Sequence, residues 1–374
     1  MLDAPAHGHR ANRVFRTYEE EGKVTTRLRR GGFVAAVALV VLTAGVAGSL
    51  AASDGSSAVP VGYTGVEAKL RTAFKVPAKK AGSCTIGFQN PIAANEFLSF
   101  LQKAVVAEGK RYGCRVITLD DALNPDKQVT NMQQLLAQKV GVIIFYPLDP
   151  KATTPVLKQA QRQGVPVIAI DASFGSTKKV PLITTQVWQS RDTQAYLQAK
   201  VLKQVKPNAK VGIIGIGIPV PAIKYLVQRE TFWAKKAGLT VVGSQDNPSD
   251  DVTGGEKAAN ALLQRHSDID AVIGYNDPSA LGAVIAARSA GRKVTVIGLN
   301  GSSDGISAVK AGRLAATVQV DPIGIGVQSA RAAYSLITKQ NLPLPHIVLR
   351  PGRLVTKENV GSIPSWAAQL KAIK

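Results

Sequence analysis

The sequence predicts an α/β protein with two doubly wound lobes, each built on a parallel sheet. After residue 82, short apolar runs rich in β-branched residues alternate with longer amphipathic segments. Continuous apolar strands separated by helices are typical of parallel sheets covered by helices on both faces. The strands form two series, which indicates two such sheets. Polar residues follow most of them, which indicates a polar site at the sheet edges.

The individual elements follow from these runs. Predicted strands of the first series are Thr85–Gln89, Arg115–Leu119, Gly141–Tyr146, Val165–Ile170 and Leu182–Thr185. Those of the second series are Lys210–Gly217, Leu239–Ser244, Ala271–Tyr275, Val294–Leu299 and Ala315–Val320. The amphipathic segments between them predict helices at Ala94–Gly109, Pro125–Gln138, Thr153–Gln163, Arg191–Gln204, Pro221–Ala237, Asp251–Gln264, Pro278–Ala290, Ser303–Ala311 and Ile323–Gln340. A short helix is also expected within Glu67–Phe74.

Length and charge restrict the class of protein. A chain of 374 residues with 45% hydrophobic residues is long and apolar enough for two globular domains. The formal net charge is +21, but the basic residues are scattered, so we expect a solvated basic surface and no nucleic-acid partner. Four His and two Cys leave too few ligands for a metal site, and no cofactor is expected.

Residues 1–51 are predicted to be a leader that carries a secretory signal peptide. Basic residues precede an apolar stretch, Phe33–Ala47, and small residues follow it up to Ala51. This order is typical of signal peptides, and cleavage is expected after Ala51. An uncleaved membrane anchor is the alternative, because the uncharged run of residues 31–53 is long enough to span a bilayer. The remaining boundaries are a linker at 52–81, a first lobe at 82–187 plus 321–347, and a second lobe at 188–320 plus 348–374.

Polar side chains at the strand ends are candidate ligand contacts. Asn95 follows the first strand, Asp171 the fourth and Asn276 the third of the second series. In doubly wound sheets ligands bind beyond the carboxyl ends of the strands, and carboxylates and amides suit hydroxyl-bearing ligands. The alternative is that such residues cap the next helix. We expect capping especially of Asp149 and Asp277.

The two cysteines are expected to form a disulfide. Cys84 begins the first predicted strand and Cys114 begins the second, so both lie at the amino-terminal edge of neighbouring parallel strands. A disulfide also agrees with export to an oxidising compartment. Two buried free thiols are the alternative.

The sequence resembles the periplasmic binding protein type I superfamily, and within it the ribose/galactose-type solute-binding proteins of ABC transporters. The resemblance covers about residues 84–356. Its strongest stretches are Gly164–Asp171, Asp270–Asp277 with Ala280–Ala283, Val296–Gly301 through Gly305, and Ala308–Gln319. It implies two lobes that close on a small solute and are joined by three crossover strands. These would lie near Thr185–Trp188, Gln319–Pro322 and Pro345–Arg350.

The resemblance also implies a set of ligand-binding residues. The positions that match the family's ligand contacts are Asn95, Phe97, Asp171, Arg229 and Asn276.

The sequence departs from the family pattern at further ligand positions. Ala172 stands where the family has an arginine, and Asn300 stands where it has an aspartate. Tyr146 ends the third strand, where the family has a polar residue. Gln319 lies beside the position of a family glutamine. Tyr146, Asn300 and Gln319 complete the predicted ligand set. Because Ala and Asn cannot replace charged clamps at equal strength, the departures indicate a ligand other than ribose.

By this resemblance the protein is an exported solute-binding protein of an ABC importer. It would capture a sugar, polyol or related solute as a monomer and deliver it to a permease that is driven by a separate ATPase. The sequence holds no recognisable catalytic motif, so we do not expect an enzyme. The glycine-rich segment Gly212–Gly217 is not a dinucleotide-binding turn, because Val220 stands in place of the third glycine. Two alternatives remain: a receptor module that feeds a membrane sensor, and a lactose-repressor-like transcription regulator.

Overall fold

The computed structural model describes residue 60, residues 63–218 and residues 220–373. The predicted leader, its cleavage site and the alternative anchor at residues 31–53 lie outside this part of the chain. Within it, no helix has both the length and the apolar character needed to cross a membrane.

Two six-stranded sheets form the centres of two lobes, which confirms the predicted fold class. In chain order the strands are β1 (Thr85–Asn90), β2 (Arg115–Asp120), β3 (Val142–Phe145), β4 (Val167–Ile170), β5 (Thr185–Gln189), β6 (Lys210–Ile216), β7 (Thr240–Asn247), β8 (Ala271–Gly274), β9 (Thr295–Asn300), β10 (Ala316–Gln319), β11 (Ile347–Arg350) and β12 (Arg353–Thr356). The first sheet has the order β11-β5-β4-β3-β1-β2 and the second has the order β12-β10-β9-β8-β6-β7. All pairs are parallel except the antiparallel pair of β10 with β12.

Helices cover both sheets. They are α1 (Glu96–Arg111), α2 (Pro125–Ala137), α3 (Pro150–Arg162), α4 (Arg191–Val205), α5 (Pro221–Lys236), α6 (Val252–Arg265), α7 (Asp277–Ser289), α8 (Ser303–Lys310), α9 (Pro322–Ile337) and α10 (Trp366–Lys371). Except in α4 and α5, the residue before each helix stabilises the first turn with a side chain that accepts amide protons, as Asn95 does from Leu98 in α1 and Asp149 from Lys151 in α3. The apolar strands are buried between these helices and form the cores of the lobes.

The chain crosses between the lobes at Gln189–Arg191, Gln319–Pro322 and Arg350–Arg353, which we call the hinge. It crosses again before α10, which packs on α1 and α9 of the first lobe. The lobe boundaries therefore differ from those expected: residues 348–350 belong to the first sheet, and α10 packs on the first lobe although residues 348–374 were assigned to the second.

Two local predictions are wrong, and one strand was not predicted. The fifth strand runs over Thr185–Gln189 rather than Leu182–Thr185, because Leu182 has a positive φ of 67° and the strand itself is polar but buried. Strand β12 was not predicted, whereas β11 coincides with the crossover strand expected near Pro345–Arg350. Asp277 is not a cap: Asn276 caps α7, and the buried Asp277 carboxylate instead accepts from the Ser302 amide at 2.7 Å and the Thr317 hydroxyl at 2.6 Å.

Cys84 and Cys114 form the predicted disulfide, with a Cα–Cα distance of 4.5 Å. Cys84 and Cys114 directly precede Thr85 on β1 and Arg115 on β2, which are paired with each other. The disulfide therefore joins the starts of two neighbouring strands. It lies at the amino-terminal edge of the first sheet, and its residues are not among those that line the cleft described below.

Residues Tyr63–Lys80, which we call the strap, pack on the body of the protein, although they were predicted to be part of a linker. The short helix expected within Glu67–Phe74 is a 3-10 helix at Val66–Lys69. Glu67 is only 2% exposed. Its carboxylate accepts from the backbone amides of Asp192 and Thr193.

We expect Glu67 to make stability depend on pH. Burial raises the pKa of its carboxyl from 4.5 to about 7. The stability that proton uptake by this group contributes is therefore fully present below about pH 4.5 and is lost as pH rises through about 7. Urea unfolding of the wild type at pH 5 and pH 8 should show that the free energy of unfolding falls by up to about 3 kcal/mol because of this group. Glu67→Gln should reduce the slope of the free energy of unfolding against pH. Part of the slope should persist in the variant, because burial also raises the pKa values of Asp121 and Asp277 to about 6. An unchanged slope would contradict the prediction.

Candidate ligand-binding cleft

A cleft of about 550 Å³, including the solvent at its open mouth, lies between the carboxyl ends of the two sheets. The first lobe contributes Pro91, Ile92, Asn95, Phe97, Leu98, Leu123, Tyr146 and Leu148. The hinge contributes Gln189 and Arg191, and the second lobe contributes Ile216, Val220, Ile223, Asp250, Tyr275, Asn276 and Asn300. The wall is therefore mostly apolar with a few convergent polar groups, as in small-molecule sites generally.

A buried trio of side chains forms the hinge side of the cleft. The Arg191 guanidinium donates to the Asp171 carboxylate at 3.1 Å and to the Tyr146 hydroxyl at 2.7 Å. The Tyr146 hydroxyl in turn donates to Asp171 at 3.2 Å, and the Gln189 backbone amide donates to the other Asp171 oxygen at 2.7 Å. Tyr146 and Arg191 line the cleft, whereas Asp171 lies behind them and holds them in place.

Gln189 lines the same wall and is 2% exposed. Its side-chain amide nitrogen is buried and has no hydrogen-bond partner in the structure. Because an unpaired buried donor is costly, this nitrogen is suited to donate to an oxygen of a bound solute.

Asp250 is the centre of the polar wall on the second lobe. Its carboxylate accepts from the Asn276 side chain at 2.7 Å, from the Tyr275 hydroxyl and from the Asn95 side chain at 3.1 Å. Burial raises the pKa of the Asp250 carboxyl above its ordinary value, and these hydrogen bonds oppose the shift. A carboxylate in this position can accept hydrogen bonds from hydroxyl groups.

Two hydrogen bonds join the lobes across the mouth of the cleft. The Asn95 side chain of the first lobe donates to Asp250 of the second at 3.1 Å. The Glu96 carboxylate of the first lobe accepts from the Ser303 amide at the start of α8 at 3.0 Å. The Glu96 contact is favourable because the helix dipole attracts a carboxylate to the N-terminus of α8. Through these two hydrogen bonds the lobes are in direct contact over the site.

The structure brings five of the predicted ligand residues to the cleft: Asn95, Phe97, Tyr146, Asn276 and Asn300. Whether they contact a ligand stays a prediction.

Arg229 and Gln319 do not line the cleft. Arg229 forms an ion pair with Asp192 and stacks over the Phe232 ring at 4.0 Å. The cleft-lining residue of α5 is Ile223 in the first turn, and Arg229 lies nearly two turns farther along the helix. Gln319 donates to the carbonyl of Pro364 at 3.3 Å and packs against Gly301, whose φ is +64°.

Four cleft residues with polar side chains were missed from the sequence: Gln189, Arg191, Asp250 and Tyr275. Gln189 and Arg191 were missed because the fifth strand was placed too early, so that they did not stand out as a strand end. Tyr275 does end a predicted strand, and the same argument that singled out Asn276 applies to it. Asp250 lies in a loop, in a positive-φ conformation of 57°, and no local signal marks it.

Comparison with known proteins agrees with this geometry. A model of the periplasmic binding protein domain matches residues 86–341. The chain belongs to the periplasmic binding protein family, type I, of the ribose/galactose type. It is 31% identical to the ribose import binding protein of Bacillus subtilis over 256 residues, which are 68% of this chain and 81% of the relative. It is 29% identical to the D-ribose/D-allose-binding protein of Pseudomonas aeruginosa over 268 residues, which are 66% of this chain and 80% of the relative.

Solved structures show the same fold for this periplasmic binding protein. An ABC transporter solute-binding protein from Bacillus halodurans, with bound myo-inositol, superposes with a TM-score of 0.68 at 24% identity. The match covers 76% of this chain and 98% of that one. A solute-binding protein from Mycobacterium smegmatis with bound glycerol superposes with a TM-score of 0.67 and covers 75% of this chain and 96% of that one.

Proposed function

We propose that this protein is the exported solute-binding component of an ABC importer. It captures a small polyhydroxylated solute, a sugar or polyol, between its lobes and delivers it as a monomer to a permease with a separate ATPase. The observation that carries the proposal is the cleft itself, where polar groups from both lobes face one another at the carboxyl ends of two parallel sheets. The names of its relatives, which describe ribose and allose binding, support the class of solute.

The cleft offers both parts of a sugar site. Asp250 accepts hydrogen bonds from hydroxyl groups, and Arg191 and the unpaired amide of Gln189 donate to ring or hydroxyl oxygens. Apolar side chains such as Phe97 and Ile223 cover the C–H face of the solute. With Ala172 and Asn300 at two clamp positions of the family, the ligand differs from ribose or is held differently.

Solute binding is coupled to closure. The contacts of Asn95 with Asp250 and of Glu96 with Ser303 exist only when the lobes approach, so they add to the closed state alone. A solute that contacts both walls shifts the population toward this state, and the permease recognises the closed form.

A thermal-shift screen of the full chain tests the proposal, with pentoses, hexoses, polyols, nucleosides and aromatic acids as probes. A solute at a hundred times its dissociation constant should raise stability by about 2.7 kcal/mol. Asp250→Asn should weaken the binding of that solute at least tenfold by calorimetry, since a charge-assisted acceptor is lost. The matched control is Asp246→Asn, an exposed aspartate on β7 that does not line the cleft, and its affinity should not change. Silence of the sugars and polyols, with a response only to aromatic acids, would overturn the proposed class.

A further inference from the structure

The strap lies beside the hinge and contacts both lobes. It lies outside residues 86–341, which match the family domain. The match to the family domain therefore says nothing about the role of the strap.

On the second lobe the strap caps a helix. The two Glu67 carboxylate oxygens accept from the amides of Asp192 and Thr193, each at 3.0 Å, in the first turn of α4. The residue before this helix, Ser190, makes no side-chain cap, and its hydroxyl accepts from Gly352 instead. Glu67 thus does for α4 what a local cap does for other helices, although it comes from a distant segment of the chain.

An aromatic contact secures the same end. The Tyr63 hydroxyl donates to the Asp192 carboxylate at 2.7 Å. Its ring lies 5.9 Å from the Tyr196 ring and 6.0 Å from the Trp233 ring, so the strap reaches α5 as well as α4. Tyr63 is buried, and these contacts exclude water from the cap.

On the first lobe the strap extends the sheet. Arg71 forms a parallel bridge with Val348 of the edge strand β11, and the Leu349 amide donates to the Arg71 carbonyl at 2.7 Å. The Arg350 guanidinium donates to the carbonyl of Thr72 at 3.0 Å. Farther along, the Lys80 amide donates to the Tyr334 hydroxyl of α9 at 2.6 Å, which fastens the end of the strap.

There is little slack between these two sets of contacts. Three residues, Ala68 to Leu70, separate Glu67 from Arg71. Four residue steps span at most roughly 14 Å when fully extended, and Leu70 already has extended angles (φ −87°, ψ 148°). Because Glu67, Ala68 and Lys69 lie in the 3-10 helix, a lobe rotation that moves α4 away from β11 must unwind this helix, break one set of contacts or strain the segment.

We propose that the strap is an interlobe latch, which holds the two lobes in the orientation seen here through Glu67 and Tyr63 on one side and Arg71 on the other. Loosening the latch shifts the solute-free protein toward more open arrangements. That this shift lowers the affinity for solute is a consequence that rests on the proposed function; the latch itself does not depend on it.

The test uses the solute-free full chain, so that it is independent of the ligand. Spin labels on the exposed residues Lys127 in α2 and Lys257 in α6 report the interlobe distance, because both helices begin at the cleft edge of their sheets. Glu67→Ala should increase the population at longer distances at least threefold and speed exchange of the Asp192 and Thr193 amides at least tenfold. The control is Glu358→Ala, an exposed glutamate of the second lobe, which should change neither.

A second variant separates a latch from a simple helix cap. Four glycines inserted between Lys69 and Leu70 keep every side chain of the strap and add slack. This insertion should lengthen the interlobe distance while the Asp192 and Thr193 amides stay protected, and it carries the test if Glu67→Ala does not fold. The latch would be overturned if amide exchange were faster in Glu67→Ala but the interlobe distance were unchanged in both variants. It would also be overturned if the interlobe distance were unchanged in the insertion variant, whatever Glu67→Ala shows.

Discussion

Asp171→Asn should lower the free energy of unfolding by about 3–5 kcal/mol, because it leaves the Arg191 guanidinium buried without its ion-pair partner. The Arg191 side chain is 5% exposed and that of Asp171 is fully buried, so water at the cleft replaces little of the lost interaction. Asparagine keeps the shape and tolerates the positive φ of 53° at this position, so that the charge alone is tested. Urea unfolding measures the change.

Asp149→Asn is the matched control for Asp171→Asn. Asp149→Asn removes an aspartate that caps α3, a role that asparagine performs as well, and stability should change by less than about 0.5 kcal/mol. The double variant Asp171→Asn with Arg191→Met should recover much of the loss, because no unpaired charge remains. Glu230 is another buried carboxyl that interacts with the charge of Arg191. A loss below about 1 kcal/mol in Asp171→Asn would mean that Glu230, and not Asp171, balances the arginine.

Removal of the disulfide should lower the free energy of unfolding by about 3–4 kcal/mol. Cys84 and Cys114 are 30 residues apart, and opening a loop of this length releases the corresponding chain entropy in the unfolded state. The paired variant Cys84→Ala with Cys114→Ala should therefore unfold at a lower urea concentration than the oxidised wild type. Both residues are more than nine-tenths buried, so the lost packing acts in the same direction.

Reductant provides the matched comparison for the disulfide. Dithiothreitol should lower the unfolding midpoint of the wild type toward that of the paired variant and should leave the variant unchanged. Equal midpoints for fully reduced and oxidised wild type, with reduction verified by thiol titration, would show that the bond contributes nothing. Solute binding should survive in the variant, because neither residue lines the cleft.

The alternation of strands and helices could be predicted because it is written in local periodicity. A buried parallel strand such as β3 or β8 is a short apolar run, and the helix after it begins with a residue that caps it. The fifth strand broke this rule. Its Gln186 and Gln189 are polar yet buried, so no apolar run marked it. The Gln186 side chain accepts from the Ala172 amide, whereas the side-chain nitrogen of Gln189 is unpaired beside the cleft.

The candidate site was predicted in part for the same reason. Asn276 and Tyr146 stand at strand ends, where topology alone brings them to the cleft. Arg229 was assigned through resemblance, but its place on α5 sets it against Asp192 and outside the cleft. Arg191 takes part in the cleft instead, through a buried pair with Asp171 that no spacing in the sequence indicates.

By itself, the sequence determined the two-lobed α/β class, most elements, and a disulfide between the starts of the first two strands. These follow from residue type and short-range pattern. Only the tertiary structure decided that Asp250 meets Asn95 across the cleft, that Asp171 supports Arg191, and that Glu67 caps α4 across 125 positions of the chain. Such partners are chosen by how elements pack in space, and a buried charge finds its partner there with no trace in the local pattern.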